Sequence, residues 1–164
     1  MSALAWMCWC IPIKRLPAVV RCLERCCIGH SRKERCFMTP GHEEALRALR
    51  MADRDIVAFR KMKDDPDFHF AITCFHAQQA IEKCMKAVMF ERGIVFSPIH
   101  DLARLALSLQ ESGVVVPCTV DELRKLNPFA VTFRYDDTDI PLIGADAVES
   151  MVDTMRLWVG KAVR

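Results

Sequence analysis

From Gly41 to the C-terminus, apolar residues recur at steps of three and four, and no run of strict apolar and polar alternation competes with them. That spacing is the repeat of one helix face, so it confines this part of the chain to helices. Ala45, Leu46, Leu49, Ala52, Ile56 and Phe59 predict a first helix from His42 to about Lys63. Asp64-Asp65-Pro66-Asp67 then breaks the pattern, with Asp67 as the expected N-cap of a second helix from about Phe68 to Arg92. Gly93 ends that helix, glycine being the residue that most easily takes the left-handed C-terminal conformation. Its apolar stripe is Phe70, Cys74, Ala77, Ile81, Cys84 and Val88. A third helix, about His100 to Glu111, carries Leu102, Leu105, Ala106 and Leu109 and stops at Gly113. A fourth is expected from about Thr119 to Phe133, kinked or split at Asn127-Pro128 because proline removes a helical hydrogen bond. The last runs from about Gly144 to Val163 on Val148, Met151, Val152, Met155, Trp158, Val159 and Ala162. Val114-Val115-Val116 is too short to build a sheet, so the expected class is all-α, with short connections placing antiparallel neighbours around one core.

The first residues differ in kind. Residues 1–40 hold seven basic and two acidic residues, which leaves 16 basic and 19 acidic residues, a net charge of −3, in 41–164. That body offers no broad basic surface for sequence-independent nucleic-acid binding, so any nucleotide contact is local. Six of the nine cysteines also fall in the first 40 residues. Cys22, Cys26, Cys27, His30 and Cys36 lack the paired spacing of a zinc site, and no metal is expected. Cys74, Cys84 and Cys118 sit among apolar neighbours and read as reduced core residues, which points to the cytoplasm. The apolar opening precedes its positive charges, the reverse of a secretory signal, and no stretch approaches the ~18 uncharged apolar residues of a membrane span. The helical pattern opens directly after Met38, so the expected division is a 1–37 extension, upstream of a start at or near Met38, and a 38–164 domain.

Three places hold candidate chemistry. On the second helix Gln79, Glu82, Lys83 and Lys86 share one side, with His76 nearby and Ile72, Phe75 and Phe90 projecting from the same side. Either this is a solvated face with Glu82 and Lys86 as an i,i+4 pair, or its apolar flanks mark a contact with another helix or a ligand. His100-Asp101 opens the third helix, where an acidic residue suits the positive end of the dipole and the histidine is either hydrogen-bonded or catalytic. Arg134-Tyr135-Asp136-Asp137 offers a guanidinium fork for phosphate and a ring for a base, or an arginine paired with Asp136, Asp137 or Glu82.

Phe75-His76-Ala77-Gln78-Gln79-Ala80-Ile81-Glu82-Lys83-Cys84-Met85-Lys86-Ala87, followed by His100-Asp101-Leu102 and Phe133-Arg134-Tyr135, resembles the signature of the HEPN family, the higher-eukaryote and prokaryote nucleotide-binding domain, over about residues 41–164. The resemblance implies an antiparallel up-and-down four-helix bundle with an additional short helix, usually a homodimer, with no cofactor. Ribonucleases of the family resemble one another in an Arg-x4-6-His motif. Here Arg134 matches the arginine, but Asp139, Ile140 and Pro141 stand where the histidine belongs. Arg25 to His30 and Arg35 to His42 fit the spacing but begin outside the matching region. Members without the histidine resemble partners of minimal nucleotidyltransferases in toxin-antitoxin-like pairs. On that reading Gln79, Glu82, Lys83, Lys86, Arg134 and Tyr135 bind nucleotide or RNA, with His76, His100 and Asp101 as auxiliary residues. The alternative implied is a metal-independent endoribonuclease toxin that uses Arg134 with a base from elsewhere, such as His100 or His76.

Overall fold

The computed structural model describes residues 40–130 and 143–164, which contain five α-helices, one short 3-10 turn and no strand. The cysteine and histidine set of residues 22–36, and the segment holding Arg134 and Tyr135, lie outside the described residues. Helix α1 spans Pro40–Met62. Proline is harmless at its first position, where the missing N–H would find no partner, and Glu43 in the first turn with Arg60 and Lys61 in the last suit the helix dipole. Ala45, Ala52, Ile56 and Phe59 are its buried face.

Helix α2 spans Phe70–Arg92 and begins later than the sequence pattern places it. Asp67 does not cap it. Its N–H donates to Asp65 Oδ1 at 3.0 Å, and the Phe68 N–H donates to the Asp65 carbonyl at 3.2 Å, so these residues close a turn. The cap is His69, whose side chain accepts from the Ala71 N–H at 3.3 Å. At the other end Gly93 takes φ 65°, and the N–H groups of Gly93 and Ile94 reach the carbonyls of Phe90 and Met89, a double closure that needs the left-handed residue.

Among the described residues helix α2 is central. Helix α1 packs along it, and α3 (Leu102–Glu111), α4 (Val120–Leu126), the 3-10 turn Asn127–Ala130 and α5 (Ala145–Ala162) also contact it. Its buried residues therefore include Thr73, Gln78 and Glu82 as well as the apolar stripe. The broad polar face that the spacing allows is reduced to a narrow, partly exposed row: Ile72, Phe75, His76, Gln79, Lys83, Lys86 and Phe90.

Helix α3 starts at Leu102, so His100 precedes it and Asp101 is its N-cap, accepting from the Arg104 N–H at 3.1 Å. Asn127 locks the same corner by accepting from the Leu102 N–H and donating to Asp101, both at 2.8 Å. Helix α4 is opened by a capping box in which Thr119 and Glu122 satisfy each other's backbone N–H. It ends at Leu126 and does not continue to Phe133. Pro128 turns the chain into the 3-10 segment, which buries Phe129 edge-on to Phe70. Helix α5 lies between Gly144 and Val163 as caps and buries Val148, Met151, Val152, Met155 and Val159. Arg156 to Asp53 and Arg60 to Asp153 cross between α5 and α1. Among the described residues no helix is long and apolar enough to cross a membrane.

Candidate functional site

The central position of α2 turns its polar residues into one connected network. Glu82 is only 3% exposed, a carboxylate that the interior tolerates because donors surround it. Lys86 Nζ donates to its Oε1 at 2.8 Å, the Gln78 amide donates to Oε2 at 3.2 Å, and His100 Nδ1 lies 3.0 and 3.2 Å from the two oxygens. The i,i+4 pair is thus present, but as a buried anchor and not a solvated decoration. Gln78, fully buried, also donates to the His100 carbonyl at 2.9 Å, which fixes the residue before α3 against α2.

The network continues towards α1. Gln79 donates to Gln78 at 2.8 Å and accepts from Lys83 Nζ at 3.2 Å. Lys83 donates to Asp55 Oδ2 at 2.5 Å, and His76 Nδ1 lies 3.1 Å from Asp55 Oδ1. Lys86 sits 5.8 Å from the centre of the Phe96 ring, which meets Phe90 edge to face at 5.3 Å. No buried side-chain nitrogen or oxygen among the described residues lacks a hydrogen-bond partner.

Gln79, Glu82, Lys83, Lys86, His76 and His100 are therefore brought together. Asp101 is not: its carboxylate serves the α3 cap and Asn127. Arg134 and Tyr135 fall outside the described residues. Asp55 and Gln78 are members that sequence reasoning missed. Asp55 lies beside Ile56 on the border of the α1 apolar face, where a charge needs a partner, and that border position is its only trace in the sequence.

His100 is the one network member that opens widely to solvent, its side chain 68% exposed, against 18% for Lys86 and 4% for Glu82. The buried carboxylate holds the imidazole by Nδ1 and leaves most of the ring in solvent. Lys86 beside it supplies a positive charge suited to an anionic group.

Other chemistry finds less support. No group of three or more His, Cys, Asp or Glu among the described residues is placed to hold a metal. Cys74, Cys84 and Cys118 are free and buried, and desolvation pushes their thiols up to about 12, 12 and 11, which removes them as nucleophiles near neutral pH. A shallow groove of about 630 Å³ between α1 and α5 is lined by Ile56, Val57 and Leu157, but its arginines are already committed to Asp53 and Asp153.

No curated protein and no solved structure matches the chain. A family model described as HEPN domain matches residues 45–160, more than two thirds of the chain and all of the α2 network. The chain belongs to the HEPN domain family.

Proposed function

We propose that this HEPN domain is a non-catalytic binding module that holds a nucleotide or RNA on the α2 face and pairs with a minimal nucleotidyltransferase in a toxin-antitoxin-like, cytoplasmic module. Its fold on this reading is an antiparallel four-helix bundle with a short extra helix, assembled as a homodimer. The observation that carries the proposal is the intact α2 network combined with the missing histidine after Arg134. Lys86 and His100, oriented by Glu82, bind phosphate, and Arg134 and Tyr135 add a guanidinium and a ring. The transferase chemistry belongs to the partner. Calorimetric titration of the full chain with nucleoside mono- and triphosphates tests the binding, with His100→Ala and Arg134→Ala expected to weaken it while the protein stays folded. Absence of nucleotide binding together with no capture of a co-expressed nucleotidyltransferase overturns it.

A second reading is favoured by His100. An exposed imidazole held by a buried carboxylate is the arrangement of an oriented general base, and with Arg134 on the phosphate it would support metal-independent RNA cleavage. Cleavage of a labelled structured RNA in the presence of chelator, abolished separately by Arg134→Ala and His100→Ala, is its expected signature. RNA left intact under these conditions removes it.

A further inference from the structure

The outward face of α1 carries a row of cations that the α2 network does not use. At 3.6 residues per turn, Arg47, Arg50, Arg54 and Lys61 fall within an arc of about 60°, opposite buried Ala45, Ala52, Ile56 and Phe59. All four are exposed, and from Arg47 to Lys61 the row extends about 21 Å along the axis.

Glu43 falls within the same arc and Glu44 lies 4.0 Å from Arg47, so the row is neutralised from within its own helix only at its N-terminal end. Asp53 and Asp55 sit on the flanks and are taken by cations of other helices, Asp53 by Arg156 of α5 and Asp55 by Lys83 and His76 of α2. Arg50, Arg54 and Lys61 have no ion pair or hydrogen bond among the described residues, and Arg47 reaches Glu44 only at 4.0 Å. Arg47 with Arg50, and Arg50 with Arg54, are like charges at i,i+3 and i,i+4, spacings at which repulsion weakens a helix. From Arg50 to Lys61 a local rule is broken without compensation inside the described fold, a mark of a surface shaped for a partner.

We infer that this ridge is a track for the phosphodiester backbone of an RNA strand. A single narrow row, with cations at Arg47, Arg50 and Arg54 and again about two turns on at Lys61, matches one strand, whereas duplex binding calls for a broader patch. The exposed face offers no aromatic ring for base stacking, so the contact is to the backbone and indifferent to sequence. Met51 and Val57 are its exposed apolar residues, too little for insertion into a lipid surface. The choice of RNA over other polyanions rests on the nucleotide-binding reading of the α2 face. Asp55, which binds His76 and Lys83, lies on the flank of α1 between the ridge and the buried face.

The test uses the full chain, a fluorescent oligouridine and anisotropy at several salt concentrations. The triple variant Arg50→Gln, Arg54→Gln, Lys61→Gln is compared with Arg92→Gln, Arg104→Gln, Lys125→Gln, which removes the same charge from exposed positions elsewhere. The cations of residues 1–37 are common to all three proteins. Each single-strand phosphate contact contributes about 0.7 to the slope of log affinity against log salt, so the ridge variant is expected to lose a slope of about 2 and the control variant none. Equal loss in the two variants, or no RNA binding by the unaltered chain, overturns the ridge. Tighter binding of the matching oligothymidine, or ridge-dependent binding of phosphatidylserine vesicles in place of RNA, overturns the choice of RNA. Adenosine monophosphate titrated into the same proteins reads the α2 face separately. Its binding should survive loss of the ridge, and ridge-dependent RNA binding without any nucleotide binding would overturn the α2 reading and leave the ridge standing.

Discussion

At Glu82 and Lys86 the two ends of one ion pair have unequal freedom, and their substitutions should differ accordingly. Removing the charge of Glu82 leaves Lys86 and the exposed His100 able to turn towards water, so Glu82→Gln is expected to cost about 1 kcal/mol. Removing Lys86 takes the lysine charge from a carboxylate that is 4% exposed and leaves it only the Gln78 amide and His100, so Lys86→Met is expected to cost about 3 kcal/mol. Urea midpoints of the two variants compare them directly, and the reverse order would contradict the burial of Glu82. The thiols give a second prediction. Because burial raises Cys74, Cys84 and Cys118 far above neutrality, iodoacetamide at pH 8 should leave these three unmodified in the folded chain and alkylate them in urea, as peptide mass spectrometry would read. The apolar setting of these cysteines was legible in the sequence. The burial of Glu82 was not, because an i,i+4 Glu and Lys pair is written identically on a solvated helix and on a central one.

Helix ends depend on short-range contests that periodicity does not record. The stop at Gly93 could be read because one residue type dominates that conformation. The start of α2 could not, since Asp67 and His69 are both able to cap and the Asp65 turn decides between them. The Asn127-Pro128 break was visible as a kink, while the end of α4 at Leu126 depends on Asn127 bonding back to the start of α3, a contact across 25 residues. The capping box of α4 supplies this scale's prediction. For a helix of seven residues, Thr119→Ala should cost about 1 kcal/mol at neutral pH. The hydroxyl and backbone N–H of Thr119 hold the Glu122 carboxyl below its ordinary value, so its contribution is fully present above the unfolded carboxylate pKa of about 4.3 and is lost as pH falls through the lower folded value. Thermal melts of wild type and Thr119→Ala should therefore differ most at pH 7, and the gap should narrow without closing towards pH 3, where the Glu122 N–H still donates to the Thr119 hydroxyl. An unchanged gap would show that the carboxylate is not involved.

For the whole molecule, the all-helical class followed from periodicity alone, while the centrality of α2 did not, because nothing in a helical repeat says how many neighbours surround it. The homodimer expected of the domain is checked by light scattering, which should give about twice the 18.7 kDa chain mass, and a monomer at micromolar concentration would remove it. Binding without cleavage is the claim on which the functional account stands. Its most direct measurement is a titration of the full chain against labelled structured RNA in chelator, with each sample resolved both natively and after denaturation. The account predicts retarded RNA that remains intact, with retention weakened by Arg134→Ala. Fragments that disappear in Arg134→Ala would contradict it and make the protein a ribonuclease.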